Sequence, residues 1–570
     1  MVIFDLVNRD KKIAFNKLLI LGCISGLANA LILAVINLAA DQVGDEENTT
    51  STLYYLALFL VTVGIYYLAQ QRLMILATHH VENAIRSIRL SVVAHIRNCE
   101  LQTIEQLGRD RIFAVMGKEL QVISQSAQLF VIIAQSSILV FFTSLYIAWL
   151  SIPAFVIIAS CIVLGAVVHF QRHKDIEMTL NKSFLREAKL LSRLTDFLDG
   201  FKEIKLSRQR AEALEQEFNR DSKRVNIARR STLSLFAKDF VASQLNFYLG
   251  ISAVVFLVPI LSEADPEMIT KVTTATLFLV GPITGIVGGL PSFASSNTAA
   301  KNILSLEQEL SDIGGKPAQA PIFKDFNEIV LCNLRFQHIS PGEEKAFSVG
   351  PINLTIKKGQ TLFVTGGNGS GKTTFIRLLT GLYPADSGEI LLDGIPISGG
   401  QAEGKAGGRV GTEAGQRVDA YRNLFSSVFA DFHLFKHLYG LDPIDQEAAD
   451  YWLNYLEMGH KVQLEGDEYS TVDLSGGQRK RLALHSAILE NRPIYIFDEW
   501  AADQDPYFRQ KFYLEVLPKL KAAGQTVIAI THDDKYFDVA DIHVKMEEGQ
   551  LHYVKPRRAS LEQPLTPSEA

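Results

Sequence analysis

Residues 366–374 read Gly-Gly-Asn-Gly-Ser-Gly-Lys-Thr-Thr, a glycine-rich loop between an apolar strand-like run, Thr361–Val364, and a helix-like run, Phe375–Leu379. This is the pattern G-x-x-x-x-G-K-[ST] in the strand–loop–helix setting of a phosphate-binding loop. Glycines let backbone N–H groups turn inward around a polyphosphate, and the positive end of the following helix adds to the attraction. The alternative is a glycine-rich turn that fits the pattern by chance, and the motifs further along the chain argue against it.

The loop offers candidate ligands for a nucleotide and its metal ion. The Lys372 ammonium is placed to reach the β- and γ-phosphates, and the Thr373 hydroxyl to ligate Mg²⁺. The remaining nucleotide-binding candidates in the loop are Gly366, Asn368, Gly369, Gly371 and Thr374.

Length and composition favour a large, partly membrane-embedded protein. A chain of 570 residues is too long for one core and suggests two or three domains. Hydrophobic residues make up 48% of it, which is at the upper edge for a soluble protein. The net charge of −6 is mild and argues against binding to nucleic acid.

Four cysteines without metal spacing imply neither a disulfide framework nor a zinc site. No cleaved signal peptide is expected in the short, charged segment 1–17.

The first half of the chain contains six apolar stretches, each close to the roughly 20 residues that a helix needs to cross about 30 Å of hydrocarbon. They are Leu18–Ala40, Leu53–Leu76, Leu129–Leu150, Ile152–His169, Phe240–Leu261 and Val272–Ala294. Buried helices of a soluble protein are the alternative, but six such stretches in one half of a chain make it improbable. We therefore predict six transmembrane helices.

The charge of the connecting segments predicts their side of the membrane. Asp41–Thr52 has four acidic residues and no Lys or Arg, and Ser262–Lys271 has one Lys against three acids. By contrast, His79–Ala127 carries six Lys and Arg residues and Phe170–Asp239 carries sixteen. The positive-inside rule then places both long basic segments and both termini in the cytoplasm.

The two basic segments are expected to be helices that continue out of the membrane. Ile85, Ile88, Val92 and Ile96 form a stripe on one helical face, which indicates helix packing. Each segment has a break, around Gln106–Gly108 and around Asp199–Gly200, where the chain can turn back and present a short transverse helix to a second domain.

Several polar residues lie within the predicted spans. Their side chains either line a pathway or bond neighbouring helices, and the second case is the commoner. They include Asn29, Asn37, Gln135, Gln244 and Asn246. Pro282 and Pro291 can kink the sixth span.

A change in composition separates the membrane half from the rest of the chain. Residues 311–325, rich in Gly, Pro, Ala and Lys, are predicted to be a linker between a transmembrane domain, 1–310, and an α/β domain, 326–555. Residues 399–416 are interpreted as a flexible insertion, and 556–570 as a disordered tail.

Four further motifs follow the glycine-rich loop. Leu474–Gln478 reads Leu-Ser-Gly-Gly-Gln and begins a helix, where Ser475, Gly476, Gly477 and Gln478 can approach an anion closely.

The next motif, Ile494–Glu499, is a buried strand that ends in two acids. Asp498 is placed to hold Mg²⁺ through water, and Glu499 to polarise an attacking water. Ala502–Asp505 follows at once, and a further strand ends in Thr531-His532, where the imidazole can donate to a γ-phosphate. Each of these last two is weak alone, but the order of all five leaves little room for coincidence.

This constellation resembles the ATP-binding cassette superfamily, over essentially the whole chain. The resemblance implies that Gly366–Thr374 and Ile494–Asp498 are the Walker A and B motifs and that Leu474–Gln478 is the signature motif. It also implies that Ala502–Asp505 is the D-loop, with Asp505 near the nucleotide, and that His532 is the switch histidine. Six spans followed by one cassette are typical of a half-transporter exporter. The family implies two cassettes that meet head to tail, each ATP lying between the Walker A motif of one chain and the signature of the other, and hence a homodimer.

Two positions depart from the family pattern. Ala430 occupies the Q-loop position where the family has Gln, so metal sensing and coupling through that Gln are in doubt; Asp431 is a candidate substitute. His338 replaces the aromatic residue that stacks on adenine, and it can stack more weakly.

The departures are similar to those of a narrower group, the bacterial cyclic-peptide and siderophore exporters, which include the pyoverdine-type exporters. The residues that carry this resemblance are Phe497–Pro506, Phe429–Phe435 and Thr531–Asp534. It implies an inner-membrane ATPase that moves a peptide-like small molecule outward. A lipid or multidrug exporter shares the architecture, whereas a soluble repair or translation ATPase is disfavoured by the apolar stretches. No leader-peptide cleavage is expected, because no protease motif precedes the first apolar stretch.

Overall fold

The computed structural model describes residues 12–42, 49–261, 266–311, 323–338, 347–399, 413–441 and 443–554. These residues belong to two compact units. The membrane unit comprises the chain up to His95 together with Leu107–Glu309, and the nucleotide-binding unit comprises Ile96–Gln106 together with the chain from Leu310 onward.

The membrane unit is built of long helices joined by a few short ones. They are α1 (Lys12–Gln42), α2 (Thr49–Asn98), α4 (Arg109–Ala114), α5 (Leu120–Leu150), α6 (Ile152–Asp199), α7 (Phe201–Leu206), α8 (Arg208–Leu261), α9 (Pro266–Phe278) and α10 (Val280–Ser311), with a π-helical turn, Val115–Glu119, between α4 and α5. A further short helix, α3 (Leu101–Leu107), follows α2.

Five of the described helical stretches are long and apolar enough to cross a membrane. They are Asn16–Ala39, Leu53–Asn98, Arg111–Leu150, Arg208–Ile260 and Glu267–Leu310. A shorter apolar stretch, Ile152–Val168, coincides with the fourth predicted span. The exporter-like helical fold is confirmed, while the count of six spans stays a prediction.

The stripe predicted on α2 is a packing face. Ile85, Ile88 and Val92 are 1%, 3% and 0% exposed, whereas Leu90 on another face is 62% exposed. Burial of one apolar stripe explains why a helix of 50 residues continues beyond the length that a membrane requires.

Both predicted breaks are occupied by short helices. α3 ends next to Gly108, whose φ of 77° interrupts the helix, and α7 begins directly after Gly200. A third break, between α9 and α10 at Leu279, lies inside the sixth predicted span. Pro282 explains it, because its ring cannot donate a hydrogen bond and clashes with the carbonyl four residues earlier, that of Phe278. Pro291 lies inside α10.

The nucleotide-binding unit contains two main sheets. An antiparallel sheet has the strand order β2–β1–β4–β5 and a larger one has the order β12–β11–β3–β10–β9–β6. The strands are β1 (Glu328–His338), β2 (Phe347–Lys357), β3 (Thr361–Gly366), β4 (Ser387–Leu392), β5 (Ile395–Gly399), β6 (Phe425–Val428), β7 (Leu464–Glu465), β8 (Glu468–Tyr469), β9 (Ile494–Asp498), β10 (Thr526–Ile530), β11 (Ile542–Glu547) and β12 (Gln550–Tyr553).

Helices and helical turns separate these strands. They are α11 (Lys372–Leu379), α12 (Glu413–Arg422), α13 (Gln446–Tyr455), α14 (Gly476–Leu489), a 3₁₀ turn at Trp500–Asp503, α15 (Pro506–Lys511), a π turn at Phe512–Val516, α16 (Leu517–Ala522) and a 3₁₀ turn at Asp534–Val539. The strands β9 and β10 are buried at every position, as expected for central parallel strands covered on both faces.

The segment that contains α3 is part of the nucleotide-binding unit. Leu101 packs against the core that includes β1 and β3. Glu100 accepts a 2.6 Å hydrogen bond from Arg422, and Glu105 accepts one of 2.6 Å from the Tyr383 hydroxyl. These contacts join residues about 280 to 320 positions apart, so the sequence did not predict them.

Some predictions fall largely or wholly outside the described residues. They are most of the linker (312–322), most of the insertion (400–412), the tail (556–570) and the central parts of the acidic connections (43–48 and 262–265). Residues 413–416 of the predicted flexible insertion instead form the first turn of α12.

Candidate functional site

Three neighbouring parallel strands bring the predicted catalytic residues to one edge of the larger sheet. Ile530 of β10 is paired with Val364 of β3 on one side and with Asp498 of β9 on the other. The chain therefore leaves all three strands at the same level, and carboxyl ends of parallel strands are where such sheets bind ligands.

The glycine-rich loop has a backbone that only small residues allow. Gly366 has φ 146°, and a Cβ there would lie 2.3 Å from the Met546 carbonyl oxygen. Lys372 begins α11, and its Nζ donates to the carbonyls of Gly366 and Gly367 at 3.1 and 3.0 Å. The loop thus holds the Lys372 ammonium through two of its carbonyl groups, and its binding of phosphate stays a prediction.

The side chains of the loop differ in their accessibility. Asn368, Gly369 and Thr373 are exposed, and Gly371 and Thr374 are half-buried. Ser370, which was not among the predicted residues, is 8% exposed, and its Oγ has no hydrogen-bond partner among the residues that the structure describes. A buried hydroxyl in that state is an unused hydrogen-bonding group at the centre of the loop.

The two acids at the end of β9 have different environments. Asp498 is 3% exposed, and its burial, followed by the negative charge of Glu499, raises the pKa of its carboxyl above the usual range. The Ala430 backbone N–H donates to this carboxylate, and the charge of Asp431 raises the pKa further. The Q-loop position that lacks Gln therefore still contacts the metal-binding candidate through its backbone.

Glu499 lies between two of the predicted partners of a nucleotide. Its Oε1 is 3.9 Å from Lys372 Nζ and 3.3 Å from His532 Nε2. Its backbone is left-handed, with φ 50°, which is rare for a residue with a side chain and is found often at functional sites. The structure thus brings Lys372, Glu499 and His532 together, although they are more than 30 residues apart in sequence.

A hydrogen-bonded group fixes the loop of His532. The Tyr513 hydroxyl is 2.5 Å from Thr531 Oγ1 and donates to Asp533 Oδ2 at 2.9 Å. Arg509 pairs with the same carboxylate at 3.2 Å. His532 itself is exposed between these two anchored neighbours. Sequence reasoning missed Tyr513 and Arg509, because neither belongs to a motif.

The motif Leu474–Gln478, called the Ser475 motif below, forms the start of α14. Ser475 and Gly476 are exposed, while Gly477 and Gln478 are half-buried, and Gln478 Oε1 accepts the Ser475 backbone N–H at 3.3 Å. No hydrogen bond or ion pair joins this motif to the glycine-rich loop within the described part of the chain. An anion could approach the exposed N-terminus of the helix from outside the unit.

Asp505 and His338 have less direct connections to the site. Asp505 caps α15 by accepting the Phe508 backbone N–H at 2.9 Å and pairs with Arg481 at 2.6 Å, and these contacts lower the pKa of its carboxyl. His338 is exposed at the end of β1, with its ring 6.5 Å from that of Phe336. Nucleotide contacts of both residues stay predictions.

Comparison with known families covers both units. Residues 15–283 match the ABC transporter transmembrane region and residues 349–502 match the ABC transporter family. The chain belongs to the ABC transporters. It has an exporter-type transmembrane domain and a nucleotide-binding domain, which binds ATP and whose hydrolysis of ATP is coupled to transport.

Individual relatives agree with this assignment. The ATP-binding protein SyrD of Pseudomonas syringae pv. syringae is 29% identical over 93% of this chain and 92% of its own length. An ATP-dependent lipid A-core flippase of Pasteurella multocida (strain Pm70) is 26% identical over 81% of this chain and 79% of its own. A bacterial Atm1-family ABC exporter, solved with ATP bound, has the same fold, with a TM-score of 0.75 at 16% identity over 96% of this chain and 95% of its own.

Proposed function

We propose that this ABC transporter is a homodimer in the bacterial inner membrane that exports a cyclic-peptide, peptide-like or siderophore compound, and that Glu499 polarises the water that hydrolyses ATP. The observation that carries the catalytic part is the convergence of Lys372, Glu499 and His532 at the end of three parallel strands.

The loop residues bind the phosphates of ATP. Lys372 exchanges its bonds to the Gly366 and Gly367 carbonyls for phosphate oxygens, and Ser370 supplies a hydroxyl that has no other partner among the described residues. The Walker B strand then presents Glu499 beside the Lys372 ammonium, where a carboxylate can accept a proton from water as its oxygen attacks the γ-phosphorus. The bond to the β-phosphate oxygen breaks and leaves ADP and phosphate. His532, with Nε2 near Glu499, donates to the γ-phosphate.

The residues present suit Mg²⁺. The described residues contain no group of three or more His, Cys, Asp or Glu side chains that could enclose a metal ion. Mg²⁺ typically takes only one or two protein ligands beside phosphate oxygens and water, and the Thr373 hydroxyl with the Asp498 carboxylate is such a pair of oxygen donors. When bound, Mg²⁺ would neutralise the phosphate charge. Burial makes ionisation of the Asp498 carboxyl costly, and the bound ion would supply a counter-charge to the carboxylate.

The exposed Ser475 motif supports a composite site. Within one chain it makes no bond to the glycine-rich loop in the described residues, and its helix N-terminus is open to an anion from outside. In a head-to-tail dimer this motif would complete the site of the partner. The basic segments of the membrane unit, and both termini with the nucleotide-binding unit, would then face the cytoplasm.

The cargo proposal rests on the resemblance of Phe497–Pro506 and Phe429–Phe435 to exporters of cyclic peptides and siderophores. A lipid exporter is the second candidate, since lipid A-core flippases align with about four fifths of the chain.

Reconstitution separates the two candidates. The purified protein in proteoliposomes is assayed for ATPase activity with a siderophore-type or cyclic peptide and, separately, with lipopolysaccharide core lipid, and a Glu499→Gln protein serves as the inactive control. We expect stimulation by the peptide-like compound, and accumulation of such a compound in cells that lack the protein. Stimulation by lipid alone would support the lipid exporter instead.

A further inference from the structure

Lys480 is a buried charged residue that no predicted role explains. It lies in the second turn of α14, five residues after Ser475, and is 5% exposed. A lysine is almost never buried to this extent unless its ammonium is paired. Its partners therefore indicate what keeps it there.

The Lys480 ammonium reaches two positions of the segment that follows the Walker B strand. Its Nζ donates to the Glu499 backbone carbonyl at 3.0 Å and lies 2.8 Å from Asp503 Oδ2. The Asp503 side chain is 60% exposed, whereas that of Lys480 is 7% exposed. One buried ammonium thus connects the helix of the Ser475 motif to both ends of Glu499–Asp503.

The Lys480 ammonium bonds to a residue, Glu499, whose backbone conformation is unfavourable. Glu499 has φ 50° and ψ 36°, a conformation disfavoured for residues other than glycine. Its N–H donates to the Ile530 carbonyl at 3.1 Å, and its carbonyl accepts the Ala502 N–H at 3.3 Å in addition to the Lys480 ammonium. Together these bonds fix the direction in which the Glu499 side chain leaves the chain.

We propose that Lys480 is a positioning residue for ATP hydrolysis, which holds Glu499 in its left-handed conformation from the helix that begins at Ser475. The proposal rests on the function proposed above for Glu499. Loss of the ammonium allows the Glu499 backbone to relax and moves its carboxylate away from Lys372 and His532.

In the head-to-tail dimer the same contact joins the two ATP sites. Ser475 would face the ATP held by the partner, and Glu499 faces the ATP held by its own chain. Two neighbouring contacts, from Arg481 Nε to Gln504 Oε1 at 2.9 Å and from Gln504 Nε2 to the Gly477 carbonyl at 3.0 Å, also tie α14 to this segment. Neither reaches Glu499, whereas the Lys480 ammonium bonds directly to the backbone carbonyl of this residue.

The test compares Lys480→Met with Lys511→Met in the full-length, membrane-reconstituted protein. Lys511 is a matched control, because its side chain is 12% exposed and paired with Glu457 at 3.0 Å, and no hydrogen bond or ion pair joins it to Glu499–Asp503 among the described residues. Measured quantities are kcat, KM for ATP, the affinity for a fluorescent ATP analogue and the thermal unfolding midpoint. Lys480→Arg tests rescue by another cation, and Lys480→Gln serves where the Met variant does not fold.

We expect Lys480→Met to lower kcat by about 10- to 100-fold, because a misplacement of about 1 Å near the reacting atoms can cost about 100-fold. KM and analogue affinity should change less than about twofold, since the glycine-rich loop is untouched. Lys511→Met should keep the wild-type kcat, and Lys480→Arg should recover most of it. A wild-type kcat in Lys480→Met, or a loss of analogue affinity equal to the loss of kcat, would overturn the proposal.

A double variant decides whether Lys480 acts through Glu499. In single-turnover hydrolysis of radiolabelled ATP, Lys480→Met should cause no further loss once Glu499→Gln is present, because residues that act as a unit are not additive. An additive loss would contradict the proposal. If Glu499→Gln alone hydrolyses ATP at the normal rate, the proposed role of Glu499 fails; if it is slow while Lys480→Met is normal, only the role of Lys480 fails.

Discussion

In the membrane unit, amide side chains bond to polar groups of neighbouring helices, whereas the ends of β3, β9 and β10 bring the side chains of Lys372, Glu499 and His532 close together. In the membrane unit, Gln135 Nε2 donates to Ser25 Oγ at 3.1 Å and Ser25 Oγ donates to Gln70 Oε1 at 2.9 Å. In the nucleotide-binding unit, Lys372 and His532 instead surround the Glu499 carboxylate. Satisfied amides stabilise helix packing, while charges held close together are suited to chemistry.

Hydrogen bonds between helices also separate the amides that stabilise packing from those that are free to meet a cargo. Asn37 donates to the Tyr146 hydroxyl at 3.3 Å and Asn246 donates to the Cys161 carbonyl at 2.7 Å, so these amides, like Gln135, connect helices. Gln244 instead lines a narrow cleft between α8 and α10, beside Phe240 and Thr284. Of these four amides, Gln244 is therefore the one that we expect to contact a cargo.

The largest expected effect is that of Glu499→Gln. A general base contributes about 10²- to 10⁴-fold, so the ATPase rate should fall by that amount while ATP binding and the thermal midpoint stay close to wild type. Steady-state ATPase and fluorescent-nucleotide titration check this. A near-normal ATPase rate would show that the Glu499 carboxylate is not the base in ATP hydrolysis.

Asp498→Asn should abolish hydrolysis and yet stabilise the nucleotide-free protein at pH 7. Because the folded-state pKa of Asp498 is raised, ionising it costs stability, and this cost appears as the pH rises from about 3.9 through the raised pKa. The variant lacks the cost, so its thermal midpoint in metal-free buffer should exceed that of wild type at pH 7, and the difference should shrink near pH 4. A lower midpoint at pH 7 would refute the burial argument.

The ion pair between Arg422 and Glu100 is expected to stabilise α3 and to take no part in catalysis. Arg422→Gln removes the 2.6 Å bond to Glu100, and a coupling of about 1 kcal/mol should increase hydrogen exchange in α3 about fivefold. Lys436→Gln, which breaks the exposed pair with Glu468, is the control and should leave α3 unchanged. Equal exchange in both variants would mean that the Arg422 pair does not hold α3.

The smallest effect is expected within the membrane unit. Gln135→Leu should lower the thermal midpoint by a few degrees, because interhelical hydrogen bonds contribute about 0.6 kcal/mol on average and up to about 1.7. The basal ATPase rate should not change. Gln244→Leu should do the reverse, keeping the midpoint and altering stimulation by cargo. If both variants changed the thermal midpoint and the stimulation by cargo in the same way, Gln135 and Gln244 would not differ in role.

The sequence predicted those features in which local residues specify local geometry. The glycine-rich loop, the acids after β9 and the histidine after β10 follow strands recognisable by their apolar runs, and parallel pairing then brings them together. It could not predict the burial of Lys480, because the order of residues in α14 does not show which face is covered. It predicted that a short transverse helix meets a second domain, but not the individual pairs, such as Glu100–Arg422, that hold α3 in the nucleotide-binding unit.

The most direct test of the central claim, that each ATP lies between two chains, uses differently tagged chains in a mixed dimer. One chain carries Lys372→Ala and the other Ser475→Arg, both in a Glu499→Gln background that slows hydrolysis, and ATP retained per dimer is counted after rapid desalting. This mixture keeps one intact composite site and spoils the other. We expect one ATP per mixed dimer and none in either pure variant. Normal retention of ATP by pure Ser475→Arg dimers would contradict the account.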